Sequence, residues 1–264
     1  MKKNLILPIL FVIISAGCGP QPTPAQPTED INAIVGTMMA TTLTAIAPTP
    51  VPPTNTPPPE PTAVPTQPGT LMEEFGAGFT YPDPDWLAPV EASLVKHKYE
   101  VAAVPDALRY VLQESETYLY TFNKREMPAD VAIETTYLNL ERSSEPALVC
   151  RVDPATQTKW YEFRIVPYEN AGTIYYFERQ DVYHNPYTRL AYAKLTVELF
   201  RDKENRLLAT CKGNKLTLNL NGQDVVSAED TRLPGGGLIG MGGVTHSKVP
   251  VTMDFQYINV QPPQ

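Results

Sequence analysis

The stretch NRLLATCKGNKLTLNLNGQDVV, from Asn205 to Val226, constrains this chain more than any other. Leu207, Ala209 and Cys211 alternate with Leu208, Thr210 and Lys212, and Gly213-Asn214 then supplies the backbone freedom for a tight reversal. Leu216, Leu218 and Leu220 next alternate with Thr217, Asn219 and Asn221 before Asn221-Gly222, a favoured turn dipeptide. Period-two alternation of that length makes half-buried strands, so the stretch is a β-hairpin with one apolar face. A hairpin needs a second apolar surface to cover it, and the chain must supply one.

Short runs of the same kind fill the chain from Phe75 onward. The alternation predicts strands at Tyr99–Val104, Tyr118–Asn123, Ala129–Leu140, Ala147–Val152, Lys159–Pro167, Thr173–Arg179 and Leu195–Arg201, then Arg206–Cys211, Lys215–Leu220, Gln223–Val226, Leu238–Gly242 and Thr252–Val260. Many short strands separated by turn residues mean an all-β, antiparallel sandwich of two sheets. Pro105–Glu114 and Asp85–Lys96 are the only helix-like spacings there, and both read as connections. No repeat of fixed period is visible, which argues against a propeller or solenoid.

Four blocks extend the reading to a family. Ala147–Arg151, Trp160–Ile165, Gly235–Met241 and Met253–Val260, in that order around the hairpin, resemble the concanavalin A-like lectin/glucanase sandwich, a jelly roll carried by bacterial lipoproteins. LamG and 3-keto-disaccharide hydrolase-like domains share it. The resemblance implies carbohydrate recognition, or hydrolysis of a disaccharide derivative, and Phe75–Trp86 resembles the lead-in such sandwiches carry before their first strand.

The first residues have a different character. Met1-Lys2-Lys3, an apolar run from Leu5 to Ile14 and then Ser15-Ala16-Gly17-Cys18 form an export signal, too short for a resident membrane helix. The segment resembles a lipoprotein signal, which implies acylation of Cys18 and attachment to a membrane on its extracytoplasmic face. An ordinary secretory signal is the alternative. Fourteen of the 28 prolines lie between Pro20 and Pro68. Proline lacks an amide donor and favours extended geometry, so 48–68 makes a semi-rigid spacer of roughly 65 Å at about 3.1 Å per residue. Earlier in the tether, between Thr28 and Ala47, Ile31, Ile34, Val35, Met38, Met39, Thr42, Leu43 and Ile46 keep helical spacing behind Thr28, Glu29 and Asp30, reading either as a self-association element or as a marginal helix in a stalk. The expected organisation is a signal peptide at 1–17, a tether with a short helix at 18–70 and the sandwich at 71–264.

Net charge is −8, and loss of Lys2 and Lys3 with the signal brings it near −10. Nucleic acid is an unsuitable partner for that balance, because phosphates demand clustered lysine and arginine. Beyond Cys18 only Cys150 and Cys211 remain. In an exported protein a leftover pair reads as a disulfide, with two buried thiols as the alternative, and the resembled domain sets both at matching strand ends.

Catalytic signatures are scarce. Glucanases of the resembled family carry Glu-x-Asp-x-(x)-Glu on one strand, and the chain has no such motif. Glu162 and Glu198 each stand alone on their own strands. His97, His184 and His246 are far apart in sequence and read as surface residues, and Gly235-Gly236-Gly237 precedes neither a lysine nor a helix, so it reads as a loop. No cofactor is expected, and no residue pattern calls for calcium.

Binding is left. If Tyr161, Phe163 and Ile165 face the core, then Trp160, Glu162 and Arg164 lie on the opposite face, and Thr217 and Asn219 are polar-side residues of the hairpin. A ring beside hydrogen-bonding groups suits a sugar, whose C–H face stacks while its hydroxyls need fixed partners. The alternative is a solvated sheet face with one exposed tryptophan. Tyr175, Tyr176, Tyr183, Tyr187 and Tyr192, with His184-Asn185-Pro186, crowd one region that either rims a groove or packs an edge strand. The functional expectation is a membrane-anchored, non-catalytic carbohydrate-binding lipoprotein, with a glycoside hydrolase and a structural or adhesive module as alternatives. Oligomeric state is not legible.

Overall fold

A computed structural model describes residues 69–264 apart from 139, 140, 142 and 182. Cys18, the 28–47 stripe and the proline-rich tether lie outside the described residues. The strands are β1 (Leu71–Glu74), β2 (Val90–Glu91), β3 (Tyr99–Val104), β4 (Ala107–Leu112), β5 (Tyr118–Met127), β6 (Val131–Leu138), β7 (Ser144–Val152) and β8 (Lys159–Val166). They continue as β9 (Ala171–Glu178), β10 (Tyr187–Lys194), β11 (Asn205–Lys212), β12 (Lys215–Leu220), β13 (Gln223–Glu229), β14 (Gly237–Thr245), β15 (Val251–Phe255) and β16 (Tyr257–Gln261). There is no helix among the described residues.

Two antiparallel sheets account for all sixteen strands. A nine-stranded sheet runs β13-β12-β11-β6-β15-β4-β3, with β16 pairing both β6 and β1, and a seven-stranded sheet runs β10-β9-β8-β7-β14-β5-β2. Most neighbours are remote in sequence, as in a jelly-roll-like sandwich. The Asn205–Val226 hairpin folds as its alternation requires: Cys211 pairs with Leu216, Ala209 with Leu218 and Leu207 with Leu220. All six are buried in the layer between the sheets. From the seven-stranded sheet that layer receives Leu148, Cys150, Tyr161, Phe163, Ile165 and Ile174. Cys150 and Cys211 are joined by a disulfide with 7.0 Å between their Cα atoms, tying β7 of one sheet to β11 of the other.

Three readings of local sequence are corrected. Pro105–Glu114 is no helix: Leu108, Tyr110 and Leu112 are fully buried, and the segment returns through Pro105-Asp106 to pair β4 with β3. Alternation there outweighs the coincidental helical spacing. Asp85–Lys96 is likewise extended, with β2 laid beside Tyr120 and Leu119 of β5. Leu195–Arg201 is a loop: Leu195, Val197 and Leu199 pack against the core, but Asn205 accepts from the Phe200 N–H (3.0 Å) and donates to its carbonyl (2.7 Å). The strand of that region is β10, an edge strand whose mixed polar and apolar, partly exposed side chains carry no clear period.

Thr252–Val260 divides at Gln256, whose N–H bonds the Thr136 carbonyl at 3.1 Å and separates β15 from β16. The glycine-rich run does precede a strand, and β14 keeps glycine where a side chain has no room. A Cβ on Gly240 would lie 2.1 Å from the Thr121 carbonyl oxygen, and one on Gly242 equally close to that of Leu119.

The cross-link generates the first prediction. With a sequence separation of 61 between the cysteines, the chain-entropy model gives the bond about 4 kcal/mol. Denaturant unfolding of Cys150→Ala/Cys211→Ala should show a loss of that order, and an unchanged midpoint would contradict the inter-sheet link.

Candidate functional site

Alternation on β8 sends Tyr161, Phe163 and Ile165 inward and Trp160, Glu162 and Arg164 outward, as expected. The outward face, however, is not solvated. Trp160 and Glu162 are 0% exposed and Arg164 is 4% exposed. A second apolar layer covers this side of the seven-stranded sheet, built from Tyr120, Phe122, Val149, Trp160, Phe177 and Val244, with Leu87, Val90 and Ala92 of the preceding segment against it. Trp160 stacks on Phe177 with 3.7 Å between ring centroids and meets Tyr120 and Phe122 at 5.3 and 5.5 Å. A solvent-facing tryptophan platform is therefore corrected to a buried one.

Arg164 stands in the middle of this layer. Its Nε donates to Glu162 Oε1 at 2.7 Å, its Nη2 reaches the same oxygen, and its Nη1 donates to Glu145 Oε2 at 3.0 Å. Trp160 Nε1 donates to the other oxygen of Glu162 at 3.2 Å. The guanidinium carbon lies 4.8, 5.3 and 5.5 Å from the ring centroids of Tyr175, Tyr187 and Tyr118, a cage of three aromatic faces. Burial works to lower the Arg164 pKa, but Glu162 and its other neighbours hold it well above the ordinary value. Burial likewise pushes the Tyr187 phenol well up, so this ring stays neutral, with its oxygen 3.1 Å from that of Tyr120.

The network reaches the surface through His246. Its Nε2 lies 2.7 Å from Glu145 Oε1 and its Nδ1 3.4 Å from Glu116 Oε1, while Tyr168 packs edge-on at 5.0 Å. The hydrogen bond to Glu145 raises the His246 pKa above 6.5 against the opposing effect of burial. His97 is also no free surface residue: Glu91 Oε1 takes its backbone N–H at 2.9 Å and contacts Nδ1 at 2.6 Å. His184 is exposed as expected, against Asp181.

Two loops rise beside this floor and enclose a concavity of about 470 Å³. Closure of His97 onto Glu91 puts Leu94 and Val95 at the tip of the first loop, and Arg179 anchors its base through the carbonyls of Ala92 and Ser93. Asp181 organises the second by accepting from the N–H groups of Tyr183 (2.8 Å) and His184 (3.0 Å), and Asn185 Oδ1 accepts from the Tyr187 N–H at 3.0 Å. Tyr118 and Tyr187, both in contact with Arg164, line the concavity together with Tyr183, which is 88% exposed. The tyrosine-rich region thus rims a groove through Tyr183 and Tyr187.

Thr217 and Asn219 do not join this site. They lie on the outer face of the nine-stranded sheet, since Leu216, Leu218 and Leu220 between them face the core. Asn219 is occupied by its own turn, donating to Asp224 at 3.0 Å and accepting from the Gly222 N–H at 3.0 Å. Thr217 borders a separate concavity of about 460 Å³ with Tyr192 and Asp224. Glu162 does gain a second acid from a neighbouring strand, Glu145. Both carboxylates are buried and engaged by one guanidinium, and no group of three or more metal-ligating side chains occurs among the described residues.

No protein-family model and no curated protein matches the chain. Solved structures do. A protein of galectin-like fold from Bacillus subtilis aligns with TM-score 0.53 at 9% identity, over 73% of this chain and 98% of that one. The β-glucanase of Bacillus licheniformis aligns with TM-score 0.52 at 10% identity, over 74% and 99%. A glycoside hydrolase family 16 endo-glucanase from Bacteroides ovatus aligns with TM-score 0.51 at 11% identity, over 72% and 99%. The described residues form a concanavalin A-like sandwich, the galectin-like architecture that these structures share.

Two predictions follow from the network. Arg164→Met leaves two buried carboxylates without their cation and should cost about 3–5 kcal/mol in chemical denaturation, whereas a loss below 1 kcal/mol would mean that the pairs are solvated. The folded-state pKa of His246 is raised, so its stabilisation is fully present below the unfolded value near 6.5 and is lost as pH rises through the folded value. The stability difference between the protein and His246→Gln should therefore be largest in mild acid and fade in alkali. A difference that grows with pH would reverse the assignment.

Proposed function

We propose that this protein is an exported lipoprotein, anchored through acylated Cys18, whose sandwich binds carbohydrate without cleaving it. The observation that carries the reading is the concavity rimmed by Tyr118, Tyr183 and Tyr187 beside the seven-stranded sheet. The exposed Tyr183 ring offers a flat face to sugar C–H groups, with the part-buried rings of Tyr118 and Tyr187 behind it, and neighbouring polar groups supply partners for hydroxyls. Arg164, Glu162 and Trp160 act beneath this rim as its support, rather than as ligand contacts. Two similar structures are glucanases, which supports a polysaccharide or oligosaccharide as the ligand class. The Cys150–Cys211 bond fits an oxidising compartment outside the cytoplasm.

Hydrolysis is the weaker reading. Paired carboxylates about 5 to 10 Å apart must reach a glycosidic bond and its water, and Glu145 and Glu162 are instead enclosed around Arg164. A glycan array probed with the full chain in mild detergent should give hits that fall about ten-fold in Tyr187→Ala or Tyr183→Ala, the scale of one lost ring contact. No hit on any glycan, or hits unaffected by both substitutions, would remove the proposal.

A further inference from the structure

Large apolar side chains at the surface are scattered around most of the sandwich, but Leu94, Val95 and Tyr183 are gathered around one concavity. Leu94 is 56% and Val95 65% exposed, on a loop tip fixed from behind by the Glu91–His97 contact. Pro186 adds a further apolar surface. A sugar ring of bare hydroxyls has little to offer such a wall, because aliphatic side chains neither stack like a phenol nor hydrogen-bond.

Ser93, Asn185 and Glu116 line the concavity beside that wall, together with His97, whose Nδ1 is engaged by Glu91. Ser93 Oγ accepts from the Tyr118 N–H at 2.9 Å, which leaves its O–H to donate. Asn185 Oδ1 is taken by the Tyr187 N–H, leaving the amide NH₂ as donor. Glu116, exposed on the same concavity, touches His246 through one oxygen and keeps acceptor capacity on the other. Donors, an acceptor and an aliphatic wall together match a secondary amide bearing a methyl group.

Resting on the carbohydrate-binding reading, we infer that the preferred ligand is a glycan of N-acetylated amino sugars. The acetamido methyl packs on Leu94 and Val95, its carbonyl oxygen accepts from Asn185 or Ser93, and its N–H donates to Glu116. The pyranose face stacks on the exposed ring of Tyr183. A neutral glucan fulfils only the last of these, and a free amino sugar presents a cation to an apolar wall.

Titration calorimetry of the full chain in mild detergent tests this with three trimers: triacetylchitotriose, its de-N-acetylated form and cellotriose. The acetylated trimer should bind about ten-fold or more tightly than either other. In Leu94→Ser/Val95→Ser, whose positions are exposed and leave the core untouched, that preference should collapse toward unity. Cellotriose binding as well as the acetylated trimer would overturn the inference while leaving carbohydrate binding intact. Failure of all three trimers would also overturn it, and the glycan array then decides the broader reading by itself. Preference retained in the loop variant would overturn the assignment of the methyl contact.

Discussion

A guanidinium without water must find its hydrogen bonds and its counter-charge inside the protein, and Arg164 imposes that demand on the outer face of the seven-stranded sheet. Glu162, Glu145 and three tyrosine faces meet it. Moving such an ion from water costs several kcal/mol unless every direction is answered. Each answer fixes a neighbour: Glu162 takes the Trp160 N–H, Glu145 takes His246, and Tyr118 and Tyr187 are held against Arg164 where they line the concavity. Rigidity of the rim is thus a product of charge buried one layer below it.

Antiparallel sheets usually cover one face and wet the other, and here the two sheets differ. The nine-stranded sheet follows the rule, with ion pairs such as Arg109–Asp254 (2.7 Å) and Arg206–Glu134 on its outer side. The seven-stranded sheet is covered on both faces, inward by the shared core and outward by the Trp160 layer. The disulfide fastens this doubly packed sheet to its partner near the strand ends where the hairpin turns. Loops can then project from its outer edge without disturbing the packing that positions them.

The sandwich was largely legible because alternation reports burial directly. Strands β3 and β12 have the bounds read from sequence, and the Cys150–Cys211 pair is bonded. The errors share a cause. Leu195–Arg201 alternates without joining a ladder, and edge strand β10 joins one without alternating. Side-chain period senses which way a residue faces, not which carbonyl its amide meets. At the site, the outward direction of Trp160, Glu162 and Arg164 was read correctly, but what lies over them was not. Glu145 and His246 are separated from Arg164 by 19 and 82 positions, as their contacts through Arg164 and Glu145 require, so no local motif could show the network. The usable signal was the charged pair Glu162 and Arg164 set alternately between the apolar residues Trp160, Tyr161, Phe163, Ile165 and Val166, which points to an internal partner rather than to water. Thr217 and Asn219 were grouped with them only because both runs read as polar faces, and sheet membership separates them.

The most direct test of the whole account is an amide chemical-shift map of the full chain titrated with a bound oligosaccharide. The account predicts the largest shifts at Ser93–Val95 and Tyr183–Tyr187, with the amides of Thr217 and Asn219 unmoved. Shifts centred on the outer face of the nine-stranded sheet, with the two loops silent, would contradict it.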